Sequence, residues 1–298
     1  MLAIIIPYYK ITFFEATLQS LAIQTNKKFK VYIGNDASPE DPMDLLEKYK
    51  GQFDFVYQRF NTNLGSISLV RQWERCIAMI ENEEWIQILG DDDYLSKNVV
   101  EEFYENFINF NKKSNLVRFS QHIFYQNKDL KDIIIQNVLW ENANDTYFKK
   151  FKGETSSSLS EYIFSKESFK KFGFVHYPLA WNSDDNAWLD FSDGLPIYSI
   201  NDASVNVRIS NINISGKKDN LLFKNESKIQ FYKKIILKNE YSFKKKQILG
   251  ILIGLETEMK KNRPILYSDW LYLFKFYFIY FHPVTVIKFI RRFLLSLY

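Results

Sequence analysis

The first 110 residues of this 298-residue chain alternate short apolar runs with longer amphipathic segments. The runs have the length of buried strands, and the segments between them place apolar residues at helical spacing. The runs are 2–6, 29–34, 53–58 and 85–90, and the helical segments are 12–25, 43–49, 66–80 and 97–110. Alternating strands and helices predict a parallel sheet with right-handed crossovers, and therefore an α/β domain.

The pattern changes in the second half of the chain. Segments 116–125 and 133–139 indicate strands of a less regular, mixed half, and a short strand at 162–164 precedes a helix that stops at Gly173. After residue 215 the sequence becomes helical and basic. We therefore predict two parts: an α/β domain over 1–215, with a mixed sheet flanked by helices, and a helical C-terminal appendage over 216–298.

Three consecutive aspartates, Asp91, Asp92 and Asp93, directly follow the fourth apolar run. They are expected at the carboxyl end of a strand, the edge at which open α/β sheets bind ligands. Adjacent like charges repel, and a hard divalent cation with oxygen ligands, Mg²⁺ or Mn²⁺, would relieve that repulsion. The alternative interpretation is a solvated acidic turn.

The composition excludes several classes of function. A net charge of +4 does not argue for nucleic-acid binding, and three widely separated histidines form no zinc-binding pattern. The single cysteine, Cys76, excludes an internal disulfide, and its apolar helical neighbours predict that it is buried. The first apolar run is too short for a secretory signal or a membrane span, so we expect a cytoplasmic protein.

Seven short motifs, in this order, resemble those of the family 2 glycosyltransferases, which are inverting enzymes of the nucleotide-sugar-binding GT-A fold. The resemblance covers roughly residues 2–215. Its motifs are Ile-Ile-Ile-Pro-Tyr-Tyr at 4–9, Gln-Ser-Leu-Ala-Ile-Gln-Thr at 19–25, Asn-Asp-Ala-Ser at 35–38, Asn-Leu-Gly at 63–65, Leu-Gly-Asp-Asp-Asp at 89–93, Ser-Asp-Asp-Asn-Ala-Trp-Leu at 183–189 and Val-Arg-Ile-Ser at 207–210.

The resemblance implies a nucleotide-binding set that begins with Pro7, Tyr8 and Tyr9, of which Pro7 and Tyr9 would shape the floor of the pocket. Asp36 would accept a hydrogen bond from N3–H of uracil, which the unprotonated N3 of cytosine could not donate. Ser38 belongs to the same set. Both Asp36 and Ser38 are also common turn formers, which is the structural alternative.

One departure from the family pattern lies in that loop. The family usually has Asp-Asp-Gly-Ser, whereas this chain has Asn35 and Ala37 at the first and third positions. The implied role of Asp36 is unaffected, but the preference for uracil is less strongly indicated.

The aspartate triplet corresponds to the DxD motif of the family, which implies a Mn²⁺ or Mg²⁺ site at Asp91, Asp92 and Asp93. Asp91 and Asp93 bracket the expected ligand pair, and Asp92 is the alternative direct ligand. Asp91 and Asp92 also belong to the implied nucleotide-binding set. The cation would neutralise the charge that develops on the departing nucleoside diphosphate.

The family also implies a general base, a carboxylate that takes the proton of the acceptor hydroxyl as it attacks the anomeric carbon. Asp184 aligns with that position, since Trp188 and Leu189 follow at the expected spacing. Ser183 occupies the usual Glu position, and a shift of one residue would assign the role to Asp185. Two acids at a helix N-terminus can also be stabilised by the helix dipole without any chemistry.

Two arginines are further implied phosphate contacts. Arg208 matches the arginine of a Tyr-Arg-x-His pattern in the family, although Ser210 replaces the histidine here. Arg71 either reaches a phosphate from the helix after residues 63–65 or lies on the solvent face of that helix, and we favour the solvent face.

Residues 270–298 alternate aromatic and aliphatic runs with single cations. The first apolar stretch, 270–281 with Lys275 in its middle, is 12 residues long, whereas a membrane-spanning helix needs about 20. Amphipathic, aromatic and basic helices can lie on an anionic membrane. The same composition also suits packing on the catalytic domain or on a second subunit in a homodimer, and the sequence does not distinguish these two interpretations.

The sequence thus predicts a metal-dependent inverting glycosyltransferase that uses a nucleotide-sugar donor, preferably a UDP-sugar, and a glycan or lipid-linked acceptor in polysaccharide biosynthesis. Contact with the inner face of the membrane would be peripheral. One alternative is a catalytically silent glycan- or membrane-binding subunit, suggested by the missing histidine and the altered Glu-Asp signature. A sugar nucleotidyltransferase ranks lower, because no glycine-rich phosphate loop follows the first strand.

Overall fold

The structure is a computed structural model that describes residues 1–126, 130–217, 219–237, 241–261 and 265–295. The chain divides into two compact units, Met1–Asn220 and Leu221–Tyr298.

The first unit is built from short strands and helices. Its strands are Leu2–Tyr8 (β1), Phe29–Asn35 (β2), Asp54–Arg59 (β3), Trp85–Ile88 (β4), Tyr94–Leu95 (β5), Leu116–Tyr125 (β6), Ile133–Ile135 (β7), Trp140–Glu141 (β8), Tyr162–Ser165 (β9) and Ile197–Ile209 (β10). Its helices are Phe14–Ala22 (α1), Met43–Tyr49 (α2), Leu69–Ile77 (α3), Val99–Glu105 (α4), Phe107–Phe110 (α5), Ala143–Phe151 (α6), Lys166–Phe172 (α7) and Ser183–Ser192 (α8).

The strands form one mixed sheet in the order β3-β2-β1-β4-β9-β6-β10-β5, with β7 beside β6 and β8 beside β10. Strands β1 to β4 are parallel, whereas β9 runs antiparallel to both of its neighbours, β4 and β6. Because β6 and β10 are parallel to each other, both point the same way as β1. The carboxyl ends of β1, β2, β4 and β10 therefore lie at one edge of the sheet, and the predicted mixed α/β fold is confirmed.

Helix α3 packs closely against the central strands. A Cβ atom added at Gly34 in β2 would lie 2.2 Å from Sγ of Cys76, so the helix approaches the sheet at a distance that only glycine allows. Cys76 is fully buried, and this burial raises the pKa of its thiol to about 12. The prediction that Cys76 has a packing role is confirmed.

Several predicted helix boundaries were wrong. The helix expected over 66–80 begins only at Leu69, because Ser66 is held in a turn by the Asn63 side chain, which accepts its amide N–H at 2.9 Å. The helix expected over 97–110 is interrupted at Asn106, whose side-chain amide donates to the carbonyl of Glu102 at 3.0 Å. Helix α8 begins at Ser183, so Asp184 and Asp185 lie in its first turn, as expected.

The second unit consists of four helices among the described residues: Leu221–Leu237 (α9), Lys245–Lys260 (α10), Tyr267–Tyr280 (α11) and Pro283–Leu295 (α12). Arg292 of α12 donates to both carboxylate oxygens of Glu256 in α10 and to the hydroxyl of Tyr277 in α11. The expected helical appendage is confirmed. In the described segments, no helix combines the length and the apolar character needed to cross a membrane. Residues 296–298 of the predicted basic segment lie outside the described residues.

Candidate active site

Asp91, the first residue of the triplet, holds the loop that follows β1. Its Oδ2 atom accepts hydrogen bonds from the backbone N–H groups of Tyr9 and Lys10, both at 2.8 Å. Burial and the neighbouring charge of Asp92 raise the pKa of Asp91 to about 6, although the two amides oppose the shift. Asp91 therefore joins the ends of β4 and β1.

Asp93, the last residue of the triplet, is buried and joins two other elements to the same edge. Its Oδ1 atom accepts from the backbone N–H of Arg208 in β10 at 2.9 Å, and its Oδ2 atom accepts from the Ser160 hydroxyl at 2.6 Å. Burial and the charge of Asp92 raise the pKa of Asp93 to about 8. Asp93 thus has a structural position between β10 and the loop before β9.

Asp92, like Asp91, is partly exposed, and its carboxylate binds a side chain. Its Oδ2 atom accepts from the Asn213 side-chain amide at 3.1 Å. Burial raises the pKa of Asp92, while Asn213 and the nearby positive charge of Lys10 oppose that shift. Asp92 therefore retains oxygen positions for a ligand.

The structure does not assemble the three aspartates into one ligand set. Among the residues it describes, no group of three or more His, Cys, Asp or Glu side chains is arranged to hold a metal ion. The expected ligand pair, Asp91 and Asp93, is used to bind backbone amides and the Ser160 hydroxyl. Asp92, the predicted alternative, accepts a side-chain hydrogen bond from Asn213.

Asp36 follows β2 and is almost fully buried. Its carboxylate accepts from the backbone N–H groups of Leu64 at 2.7 Å and Gly65 at 2.8 Å, and from the Arg75 guanidinium at 2.5 Å. A carboxylate offers about four acceptor positions. These three hydrogen bonds therefore leave about one position on Asp36 for a further donor. A Cβ at Gly65 would lie 2.5 Å from Oδ2 of Asp36, so glycine permits this close approach. Cζ of Arg75 lies 3.9 Å from the ring centre of Phe60. Arg75 was not among the predicted site residues.

The predicted nucleotide-binding residues of the loop after β1 differ in how exposed they are. Pro7 and Tyr9 are partly exposed at the edge. The Tyr8 side chain is fully buried, donates to the carbonyl of Glu40 at 2.9 Å and packs on Phe14, so it points into the core and away from the predicted pocket.

The loop after β2 is built around Ser38. This residue is buried, and its hydroxyl donates to the carbonyl of Tyr9 at 2.6 Å, so it has the position of a loop-building residue. Ala37, beside it, has a φ of 52°, in the left-handed region that glycine adopts most easily. This conformation explains why the family pattern has glycine at this position.

The second acid pair lies at the start of α8. Asp185 is buried, forms an ion pair of 2.6 Å with Lys150 of α6, and accepts from the Asn182 side-chain amide at 2.8 Å. Asp184 is partly exposed. Burial and the charge of Asp185 raise the pKa of Asp184 to about 6, and the charge of Lys150 opposes the shift. Asp184 is therefore the more accessible acid of the pair, and Asp185 is the one bound to protein groups.

One loop, Ser157 to Glu161, contacts Asp93 of the triplet and Lys150, the ion-pair partner of Asp185. Ser160 donates to Asp93 at one end, and the carbonyl of Ser157 accepts from Nζ of Lys150 at 2.9 Å at the other. Glu161 is buried with its carboxylate bound to the amide and hydroxyl of Ser158, and burial raises its pKa to about 7. The loop joins the triplet to the N-terminal turn of α8.

Cationic groups also reach the triplet. The Arg208 guanidinium lies between the rings of Phe13 and Phe124, at 4.0 and 4.5 Å, and its Nε donates to the carbonyl of Asp92 at 3.2 Å. Nζ of Lys10 donates to the carbonyl of Ile212. Arg71 is exposed, as we favoured.

Sequence reasoning missed Lys10, Asn213 and Ser160 as site residues. The only signal for Asn213 was its place three residues after the Val-Arg-Ile-Ser motif at 207–210.

The model of the family described as glycosyl transferase family 2 matches residues 3–181, more than half of the chain. The chain belongs to glycosyl transferase family 2. It is therefore a glycosyltransferase, and the predicted family membership is confirmed. No curated protein sequence matches the chain.

Solved structures of S. aureus TarS are similar in fold. TarS 1-349 has 14% identity and a TM-score of 0.65, over 93% of this chain and 79% of that chain. Its complex with UDP-GlcNAc has 14% identity and a TM-score of 0.64, over 92% and 79%. Its complex with UDP has 14% identity and a TM-score of 0.57, over 93% and 79%. The likeness confirms the predicted GT-A fold.

The contacts of Asp36 give a testable prediction about stability. Arg75→Ala removes the cation partner of a buried carboxylate, so we expect the free energy of unfolding to fall by about 2 kcal/mol. Arg71→Ala, on the same helix but exposed, should change it by less than about 0.5 kcal/mol. Thermal unfolding of the two variants measures the difference. Equal melting temperatures would show that the Asp36–Arg75 contact does not stabilise the turn at residues 63–65.

Proposed function

We propose that this glycosyltransferase moves a sugar from a nucleotide diphosphate donor, preferably a UDP-sugar, to a glycan or lipid-linked glycan acceptor, with inversion at the anomeric carbon. The observation that supports this most directly is the meeting of Asp92, Lys10 and Arg208 at the carboxyl edge of the sheet. Cations and a carboxylate with unused oxygens suit a metal-bound diphosphate. That TarS structures contain UDP-GlcNAc or UDP favours a uridine nucleotide.

One carboxylate at this edge, that of Asp92, is a candidate oxygen ligand for a hard divalent cation. Asp92 would hold Mn²⁺ or Mg²⁺, since it is partly exposed and its carboxylate accepts one side-chain hydrogen bond, from Asn213. When bound, the cation would supply positive charge that stabilises the departing diphosphate. Arg208 and Lys10 add positive charge of their own. Asp36 retains about one acceptor position for N3–H of uracil.

Asp184 would act as the general base. It is partly exposed, and its neighbour Asp185 is bound to Lys150, so Asp184 is the acid of the pair that an acceptor hydroxyl can approach. In the ionised state it would remove the hydroxyl proton as the oxygen attacks the anomeric carbon on the face opposite the diphosphate.

Nucleotide binding tests the donor site. We expect UDP with Mn²⁺ to raise the melting temperature and UDP with a chelator not to. At a hundred times its dissociation constant, a ligand adds about 2.7 kcal/mol to the free energy of unfolding. Asp92→Asn should lose the metal-dependent part, whereas Asp54→Asn, an exposed acid in β3, should retain it. A flat response to every nucleoside diphosphate would contradict the proposal and favour the silent-subunit alternative.

Measurement of transferase activity tests the role of Asp184 as the general base. Asp184→Asn should lower kcat about 10²–10⁴-fold, the usual contribution of a general base. Asp193→Asn, an exposed acid at the other end of α8, serves as the control. Because the base must be ionised, the wild-type rate should fall about tenfold per pH unit below about pH 6, the pKa of Asp184, and level off above it. Retained activity in Asp184→Asn with loss in Asp185→Asn would assign the role to Asp185.

The second unit would bring the enzyme to a lipid-linked acceptor by peripheral contact with an anionic membrane. Helices α11 and α12 expose apolar side chains together with cations. These residues are Leu271, Phe274, Phe278, Ile287, Leu294, Lys275, Lys288 and Arg291. Apolar area combined with positive charge suits the interface of the inner membrane face.

Vesicle binding tests that contact. Each cation at an anionic surface contributes about 1 kcal/mol, so Lys288→Glu with Arg291→Glu should weaken binding to phosphatidylglycerol-containing vesicles at least about tenfold. The same charge change at exposed Lys112 and Lys113 is the control. Equal binding by both double variants would contradict membrane contact through α12. A dimer in sedimentation that the α12 variant disrupts would favour the second-subunit interpretation.

A further inference from the structure

Lys150, in the last turn of α6, faces the N-terminal turn of α8. Its Nζ atom lies 2.6 Å from Oδ1 of Asp185 and donates to the carbonyl of Ser157 at 2.9 Å. The other carboxylate oxygen of Asp185 accepts from the Asn182 side-chain amide. The ammonium group is therefore fixed in position by two elements, α8 and the loop before β9.

Ion pairing also fixes the charge of this lysine. Burial alone would lower the pKa of Lys150, but the carboxylates of Asp185 and Asp184 outweigh that effect and raise it. The Asp185 side chain is 4% exposed and that of Lys150 25%, so solvent screens their charges only partly. Glu161 is a further acid that faces Lys150, from the loop before β9.

Consecutive acids in the first turn of a helix repel each other, and the cation bound to the pair at Asp184 and Asp185 is Lys150. We infer that Lys150 is a positioning residue for the reaction: it neutralises Asp185 and thereby keeps Asp184 ionised at neutral pH. This inference rests on the proposed role of Asp184 as the base. Nothing in the motifs at 183–189 points to a residue of α6.

The electrostatic balance at Asp184 gives the direction of the effect. Burial and the charge of Asp185 raise its pKa, and the charge of Lys150 lowers it. Without Lys150 the carboxyl group would hold its proton to a higher pH and would be a base in a smaller fraction of molecules. Without Asp185 the opposite shift follows, since a repelling charge is gone while the positive charge of Lys150 remains.

The experiment measures the pKa of Asp184 directly, by ¹³C NMR titration of aspartate-labelled protein, with Asp184→Asn to assign the signal. We expect Lys150→Met to raise that pKa by about 1 and Asp185→Asn to lower it. Lys150→Arg, which keeps the charge, should leave it close to the wild-type value. Thermal unfolding checks that each variant is folded. Asp185→Asn measures the repulsion by Asp185, and Lys150→Gln repeats the test if Lys150→Met is unfolded.

A second readout is the pH dependence of kcat in the same variants. The acidic limb should move upward in Lys150→Met by the shift that NMR measures, which a purely structural role would not produce. An unchanged Asp184 pKa in a folded Lys150→Met or Lys150→Gln variant would overturn the inference. A shifted pKa with an unmoved acidic limb would instead show that Asp184 is not the base. The two failures are therefore distinguishable.

Discussion

Hydrogen bonds from backbone amides to buried carboxylates hold the loops of the active edge in place. Asp91 binds the loop after β1, Asp36 binds the turn before α3, and Asp93 binds the end of β10. Charge-assisted hydrogen bonds of this kind are short and about twice as strong as neutral ones. They also compensate part of the cost of burying the acids. The parallel strands bring four loops to one edge, and these carboxylates give the loops a defined arrangement.

Each acid cluster combines an acid bound to protein groups with a partly exposed neighbour. In the triplet, Asp93 is buried against protein donors, whereas Asp92 is partly exposed. At the start of α8, Asp185 is paired with Lys150 while Asp184 is partly exposed. In each cluster, acids bound to protein donors determine local structure, and a neighbouring acid remains partly exposed. The like charge of the structural acid also raises the pKa of the accessible one at Asp184.

Sequence periodicity and motif order were sufficient for the architecture, because strand-helix alternation and strand length follow directly from apolar spacing. They did not predict which groups each carboxylate oxygen of the site binds. Adjacent acids have the same spacing signal, and only the folded chain shows that Asp91 and Asp93 bind backbone amides. Arg75 and Lys150 were missed for a related reason, since each meets its acid across a large sequence separation. The ends of helices depended on local side-chain contacts, such as that of Asn106 with the carbonyl of Glu102.

The left-handed backbone at Ala37 shows how the loop after β2 keeps its shape. Alanine adopts this conformation at a cost of about 1 kcal/mol relative to glycine. The loop is nevertheless closed by Ser38, whose N–H donates to the Asn35 side chain at 2.8 Å and whose hydroxyl donates to the Tyr9 carbonyl. Tertiary hydrogen bonds can thus replace the conformational freedom of glycine. A search pattern that requires glycine here would overlook distant homologues that build the same loop.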